Sequence, residues 1–219
     1  MPVMLALAPM ARRPVAKAKK KPSRTYHHGT LRAALIEATL RLVEEGGPEA
    51  VTVREAARRA GVSSGAPFRH FPNRTVLMTA VAEEATHRLH AAVLAAVEPV
   101  TAEPPLVQLR VIGRAYLQWA SDNPTHFAVV SNRGLIDYES SPSMQRENED
   151  IQALMGRLLD AAGAPAGATL AARAFVYGLA RMRIDGHLPY WGVASSGEAL
   201  AAMDAALDLF LEGLLRPRG

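Results

Sequence analysis

The stretch from Thr52 to Arg74 reads TVREAARRAGVSSGAPFRHFPNR and decides the fold, because it carries the start and stop signals of two short helices. Thr52 and Glu55 have the spacing of a capping box. In that motif the threonine hydroxyl accepts from the Glu55 backbone N–H, and the Glu55 carboxylate reaches back to the threonine N–H. The pattern predicts a first helix that starts at Val53. Gly61 then stands where many helices end in a left-handed residue.

A second helix is predicted after a short turn. Ser63 and Ser64 are both candidate N-caps, and capping at Ser64 keeps Pro67 inside the first turn, where its missing N–H is tolerated. The predicted helix carries Phe68, Arg69, His70 and Phe71, and it stops before Pro72. Two short helices around a glycine-containing turn are typical of a helix-turn-helix, whose second helix can enter a DNA major groove. An ordinary helical hairpin is the alternative for this window alone.

One more helix is predicted upstream, within YHHGTLRAALIEATLRLVEEGGPEA. Thr30 is its candidate N-cap, and Gly46 to Pro48 end it. Its apolar stripe is formed by Leu31, Leu35, Ala38 and Leu42. Residues 25–73 are therefore predicted to form a three-helix bundle, the smallest unit that holds a reading helix rigid.

The charge is divided unevenly along the chain. Residues 1–74 contain 14 Lys and Arg against 5 Asp and Glu, whereas residues 75–219 contain 11 against 16. The basic part is the one with the helix-turn-helix, which indicates a polyanionic partner, although a charge run can also be a solvated face. Residues 1–24 include RRPVAKAKKKPSR and are predicted to be a disordered basic arm that can lie along DNA.

Composition narrows the class of protein. The chain has 219 residues, of which 49% are apolar, and no cysteine, which excludes disulfides and thiolate metal sites and fits a reducing cytoplasm. The apolar runs are too short to span a membrane, so no membrane partner is expected. The opening MPVMLALAPMARR carries its positive charges after the apolar stretch, the wrong order for a secretory signal.

These motifs together resemble one family. From Tyr26 to about Glu84 the chain is similar to the tetracycline-repressor (TetR/AcrR) family of bacterial transcriptional regulators, through YHHGTLRAALIEAT, AVTVREAARRAGVSSG and PFRHFPNRTVL. The resemblance implies an all-α homodimer. It also implies a division into the helix-turn-helix DNA-binding domain at 25–73 and a larger helical domain at 74–219 that binds a small-molecule effector and dimerises.

The resemblance also implies a set of DNA contacts. Thr52 matches a phosphate-binding position at a helix N-terminus, and Arg69 is the side chain best able to read a guanine or grip a phosphate. Phe68 stands where the family often has a phosphate-binding tyrosine, so shape readout is expected to carry more of the specificity. The predicted contact residues are Thr52, Ser63, Ser64, Gly65, Ala66, Pro67, Phe68, Arg69, His70 and Arg74.

The C-terminal part reads as helices separated by proline and glycine. Its last two helices, at about 169–185 and 197–215, are predicted to form the dimer interface, or else to close the subunit's own core. Candidate ligand-binding residues are Trp119, His126, Phe127, Met155, Phe175, Tyr177, Arg181 and Met182. Such a set of aromatic and methionine residues is also what an ordinary core contains.

The expected function is that of a dimeric, ligand-responsive regulator that represses transcription from a palindromic operator in double-stranded DNA. No cofactor and no catalytic residue are expected. The alternative is a helical enzyme or metal-binding protein that uses Glu83, His87 and His90, whose spacing can place three ligands on one helix face. A purely architectural DNA binder would not need so large an apolar C-terminal domain.

Overall fold

The fold is all-α, as predicted, throughout the part of the chain that the computed structural model describes, residues 28–193 and 195–215. The basic arm predicted at 1–24 lies outside these residues. Among the described residues there is no strand, and the helices are α1 (His28–Gly46), α2 (Val53–Arg59), α3 (Arg74–Val97), α4 (Pro105–Asp122), α5 (Pro124–Val130), α6 (Pro142–Ala161), α7 (Ala168–Ile184) and α8 (Ser196–Leu214). None of the helices in this part is both long and apolar enough to traverse a bilayer.

The first helix of the motif begins and ends as predicted. The Thr52 hydroxyl accepts from the Glu55 backbone N–H at 3.0 Å, which starts α2 at Val53. The Glu55 carboxylate accepts from the Arg58 Nε at 2.9 Å, so its negative charge is paired with an arginine of the same helix. Gly61 has a φ of +70°, and its N–H donates to the Arg58 carbonyl at 3.2 Å, a capping arrangement that the left-handed conformation of glycine allows.

The second element of the motif differs from the prediction. The predicted α-helix after Ser64 is replaced by a turn, closed by the Ala66 N–H and the Ser63 carbonyl at 3.1 Å, and a 3-10 helix at Pro67–Arg69. Gly65 disfavours helix in the turn, and Pro72 ends the segment. Too few residues remain between the two prolines to offset the cost of nucleating an α-helix.

The upstream and linking helices follow their capping signals with one exception. α1 begins at His28, so Thr30 lies inside the helix and not at its cap. Asn73 caps α3, because its side-chain oxygen accepts from the Val76 N–H at 2.9 Å. α3 then continues without interruption to Val97, before Pro99.

α3 contributes to three hydrophobic clusters. Its first half, including Leu77 and Val81, packs in the head core with α1 and α2. Its second half packs with the helices that follow, Ala85 in one cluster and Val93 in another. The head core also contains residues from far along the chain, namely Val129, Leu135, Ile136 and Met144. The packing is thus continuous across the predicted boundary at 73, and the division into two domains stays a prediction.

The last two helices, α7 and α8, start within one residue of their predicted positions 169 and 197. Ser195 caps α8, since its hydroxyl accepts from the Glu198 N–H at 3.2 Å. Ser141 holds the N-cap position of α6, but its hydroxyl donates to the Glu83 Oε1 at 2.8 Å instead of capping the helix. The cap residue of α6 is therefore bonded to α3.

Candidate functional site

The predicted DNA-contact residues lie on and around the turn that follows α2. Those with exposed side chains or backbone are Thr52, Ser63, Ser64, Gly65, Phe68 and Arg69, and those partly buried are Ala66, His70 and Arg74. Pro67 is buried, so of the predicted contact residues it is the one least accessible to DNA, and its contact stays a prediction.

One buried aromatic residue fixes this surface to the head. Phe71 is only 2% exposed and packs among the side chains of α1, α2 and α3. Phe68, three residues earlier, is 40% exposed. Phe68 and Arg69 are thus presented outward from a segment that Phe71 holds in place.

Arg74 has partners inside the protein. Its Nη2 donates to the Pro48 carbonyl at 2.9 Å, and the Glu49 carboxylate lies 3.7 Å away. These contacts join the start of α3 to the 3-10 helix Pro48–Ala50. Arg74 therefore contributes to the packing of the head, and its predicted phosphate contact remains a prediction.

The residues of the metal alternative have separate partners. Glu83 accepts from the Arg32 Nη2 at 3.1 Å, whereas the His87 Nδ1 lies 2.9 Å from the Glu147 Oε1. His90 faces a different carboxylate of α6, at 3.4 Å. In the described ranges no group of three or more His, Asp and Glu side chains is placed to hold a metal ion. The geometry gives the metal alternative no support.

A cavity of about 570 Å³ lies between α3, α4, α6, α7 and α8. Its wall is mostly apolar, with Leu89, Val93, Leu109, Ile112, Ile151, Met155, Val176, Leu207 and Leu211. Its polar lining consists of Tyr116, Arg133, Tyr138, Asn148, Gln152, Thr169 and Arg173. A mostly apolar cavity with a few converging polar groups is the usual form of a small-molecule site.

The two arginines of the cavity lie on tyrosine rings. The Arg133 Cζ is 3.5 Å from the centroid of the Tyr138 ring, and the Arg173 Cζ is 4.7 Å from that of Tyr116, so both guanidinium groups have cation–π contacts. Burial raises the pKa of the Tyr116 hydroxyl, and the nearby Arg173 charge opposes that shift only in part. The Asn148 side chain donates to the Tyr138 hydroxyl at 3.2 Å.

Three of the eight predicted ligand-binding residues line a cavity. Met155 lines the large one. Phe127 and Tyr177 line a neighbouring cavity of about 50 Å³, which also borders on Arg133 and Arg173. The other five are outside the lining of both cavities: Trp119, His126, Phe175, Arg181 and Met182.

The five residues outside the cavities are engaged elsewhere. Phe175 stacks on Phe210 of α8 with ring centroids 4.3 Å apart, and Arg181 bonds to Asp185 at 2.8 Å. Trp119 and His126 form an edge-to-face pair with centroids 6.5 Å apart, and burial is the main cause that lowers the pKa of His126. Met182 packs beside the core formed by α4, α7 and α8. None of the five therefore lines either cavity, and their role in ligand binding stays a prediction.

The polar residues of the cavity were not predicted from the sequence. Tyr116, Arg133, Tyr138, Asn148 and Arg173 line it, but none was chosen as a ligand-binding residue. For Arg173 a signal was available, because a cationic residue follows Ala172 in a helix that is otherwise rich in apolar residues. Arg133 and Tyr138 belong to the segment between α5 and α6, where no periodic pattern indicates which way a side chain points.

Two family models match the chain. Residues 35–81 match the model of bacterial regulatory proteins of the tetR family. Residues 109–208 match the model described as tetracyclin repressor-like, C-terminal domain. The first match contains α2 and the 3-10 helix after it, and the second contains most of the residues that line the cavity.

Individual proteins are similar over parts of the chain. The HTH-type transcriptional regulator BetI of Cronobacter sakazakii is 28% identical over 128 residues, 58% of this chain and 61% of that protein. The HTH-type transcriptional repressor KstR of Rhodococcus jostii is 43% identical over 54 residues, 24% of this chain and 26% of that protein. The match thus spans less than two thirds of each relative. A structure of a Rhodococcus sp. RHA1 protein of unknown function superposes with a TM-score of 0.69 and 27% identity, over 89% of this chain and 100% of that one.

Proposed function

The chain belongs to the tetR family of bacterial regulatory proteins, and we propose that it is a dimeric repressor released from its DNA operator when a small molecule fills the cavity. Proteins of this family are DNA-binding transcriptional regulators and not enzymes. In the proposed mechanism Phe68 and Arg69 face the DNA, while the effector binds among α3, α4, α6, α7 and α8.

The observation that carries the proposal is the course of α3. Its first half, with Leu77 and Met78 fully buried, belongs to the core that supports the DNA-facing segment. Its second half supplies Leu89 and Val93 to the wall of the cavity. Because a helix is stiff along its axis, a shift of α3 at the cavity also changes the position of the head. Filling of the cavity and DNA binding are thereby coupled through one element.

The segment between α5 and α6 makes a second connection. Arg133 lines the cavity, whereas Leu135 and Ile136 are buried in the head core. The Asp137 N–H donates to the Thr79 hydroxyl of α3 at 2.9 Å. A ligand that moves Arg133 therefore also acts on Leu135 and Ile136, which follow it by two and three residues and pack in the head core.

A third connection joins three helices at Glu83. Its carboxylate accepts from Arg32 of α1 at 3.1 Å and from the Ser141 hydroxyl at the start of α6 at 2.8 Å. The same helix α6 supplies Ile151 and Met155 to the cavity wall. Glu83 thus bonds the helix that faces the ligand to the first helix of the head.

We propose that two copies of the chain associate through α7 and α8. Leu209 of α8 is 70% exposed, a large apolar side chain without cover from the described helices, and Leu170 of α7, which also borders the cavity, is 75% exposed. Phe175 and Phe210 are only partly buried although they stack on each other. Pairing of these faces buries the exposed leucines in a four-helix arrangement. The dimer then presents two DNA-facing segments to the halves of a palindrome.

Arg69→Ala is expected to weaken specific DNA binding by about 1–3 kcal/mol and to relax base preference at one position of each half-site, because the exposed guanidinium is the main donor on the surface. The measurement is fluorescence anisotropy with duplexes that differ at single base pairs. Arg146→Ala, which removes an exposed arginine from α6, is the matched control and should bind as the unchanged chain does. If Arg69→Ala and the control bind operator DNA equally tightly, Arg69 is not one of the residues that read the bases.

A further inference from the structure

We propose that the cavity binds an amphipathic organic anion, whose carboxylate is held by Arg133 and Arg173 and whose apolar body lies against the walls from α4, α6 and α8. The inference rests on the proposed function, since it names the ligand class of the same cavity. It follows from the charges, the partners and the packing of the residues that line the cavity.

The charged side chains that line the cavity are all positive. Arg133 and Arg173 are the ionisable residues in it that are charged at neutral pH, and no Asp, Glu, Lys or His of the described chain shares the wall with them. Burial raises the pKa of Tyr116, so its phenol stays neutral and does not compensate Arg173. An anion is attracted to such a wall, whereas a cation is repelled and finds no carboxylate.

The two arginines have no ionic partner among the residues that the structure describes. Other arginines nearby are paired with acids: Arg114 of α4 lies 3.4 Å from the Asp204 carboxylate, and Arg110 is paired with Asp208. Within residues 28–193 and 195–215 no carboxylate lies within 4.0 Å of the nitrogens of Arg133 or Arg173. Their guanidinium groups lie over tyrosine rings instead, and the Arg173 guanidinium also donates to the Tyr116 hydroxyl. Because a guanidinium has five N–H donors, each arginine keeps donors for a carboxylate.

The rest of the cavity suits an apolar body. Leu109, Ile112 and Met155 form one part of its wall, and Leu207 and Leu211 of α8 form another. The volume of about 570 Å³ falls within the range of roughly 300–1,000 Å³ that is usual for sites of drug-sized ligands. An inorganic anion would leave this apolar space unfilled, so the preferred ligand combines an acid group with a hydrocarbon part.

The test is isothermal titration calorimetry of the full chain at moderate salt, with three probes of equal chain length: decanoate, decanamide and decyltrimethylammonium. Decanoate is expected to bind at least about tenfold more tightly than decanamide, because a hydrogen bond between charged groups is stronger than a neutral one. Decyltrimethylammonium is expected to bind more weakly than decanamide. All probes are used below their micellar concentrations.

Substitution of the two arginines distinguishes the contribution of their charge to probe binding from that of apolar packing. Arg133→Gln and Arg173→Gln should each weaken decanoate binding about tenfold and leave decanamide binding unchanged. Arg157→Gln is the matched control, since it removes an exposed arginine of α6 outside the cavity, and it should alter neither affinity. Melting temperatures verify that each variant is folded. The comparison of probes on the unchanged chain tests the inference even if a variant does not fold.

Equal affinities for decanoate and decanamide would overturn the inference, as would tighter binding of decyltrimethylammonium or no binding of any probe. A preference for decanoate that survives both arginine substitutions would overturn the assignment of these residues. Release of operator DNA is measured separately with the same probes. Selective binding of decanoate without DNA release would contradict the proposed function but leave the ligand class intact. Release of DNA by decanamide as readily as by decanoate would contradict the ligand class but leave the proposed function intact.

Discussion

Phe71→Ala is expected to lower the free energy of unfolding by about 3–5 kcal/mol, the range for truncation of a fully buried phenylalanine, and to abolish specific DNA binding. Phe71 is 2% exposed and packs in the head core. The 3-10 helix before it contains only Pro67, Phe68 and Arg69, so the segment has little helical hydrogen bonding of its own. Without the buried ring the segment loses its main attachment to α1, α2 and α3. The DNA-facing side chains then have no fixed position.

The same segment supplies the control. Phe68 is 40% exposed, so Phe68→Ala should change the free energy of unfolding by less than about 1 kcal/mol, as surface substitutions do, yet weaken DNA binding. Urea denaturation followed by circular dichroism gives the stabilities, and fluorescence anisotropy gives the DNA affinities. If Phe71→Ala unfolds at the same urea concentration as Phe68→Ala, the attachment of the segment does not depend on Phe71.

The second large effect concerns the dimer. Leu209→Lys is expected to convert the protein to a monomer and to reduce its specific affinity for operator DNA by about 10³ or more, close to the level of non-specific binding. A lysine in the proposed four-helix interface brings two ammonium groups, one from each copy, into the surface that the two copies bury, where desolvation of the charges is costly. Because Leu209 is 70% exposed in the single chain, the substitution should leave the fold of each subunit intact.

Leu94→Lys is the matched control for this substitution. Leu94 is a leucine on α3 with 42% exposure, outside the α7 and α8 faces, so its replacement should preserve both the dimer and the affinity. Sedimentation velocity gives the mass of each variant in solution. A dimeric Leu209→Lys variant would place the interface on another surface, and a monomeric unchanged chain would exclude a dimer through α7 and α8.

The helix boundaries were largely predictable because capping is a local interaction. Thr52, Asn73 and Ser195 each accept from a backbone N–H three residues later, and such a bond can be recognised from sequence spacing. The second helix of the motif could not be predicted in the same way. There a glycine, two prolines and the cost of helix nucleation all disfavour an α-helix within a few residues. Tertiary packing of Phe71 determines the conformation of the segment instead.

The surface proposed to face DNA was easier to predict than the ligand cavity, because it consists of consecutive residues whose motif is local. The cavity depends on which faces of five helices meet. Phe175 and Met155 are both large apolar residues on amphipathic helices, yet one stacks on Phe210 and the other faces the cavity. Arg133 reaches the cavity from a connecting segment whose next residues enter the head core, an arrangement that no periodicity in the sequence indicates.

Selection of duplexes from a random DNA pool by the purified full chain, at moderate salt, measures the central claim most directly. The proposed function predicts enrichment of an inverted repeat whose half-sites are separated by about 34–36 Å, one turn of DNA, or by a multiple of that distance. It also predicts two chains per duplex. A pool without any enriched sequence, or an enriched site that holds a single chain on a single half-site, would contradict it.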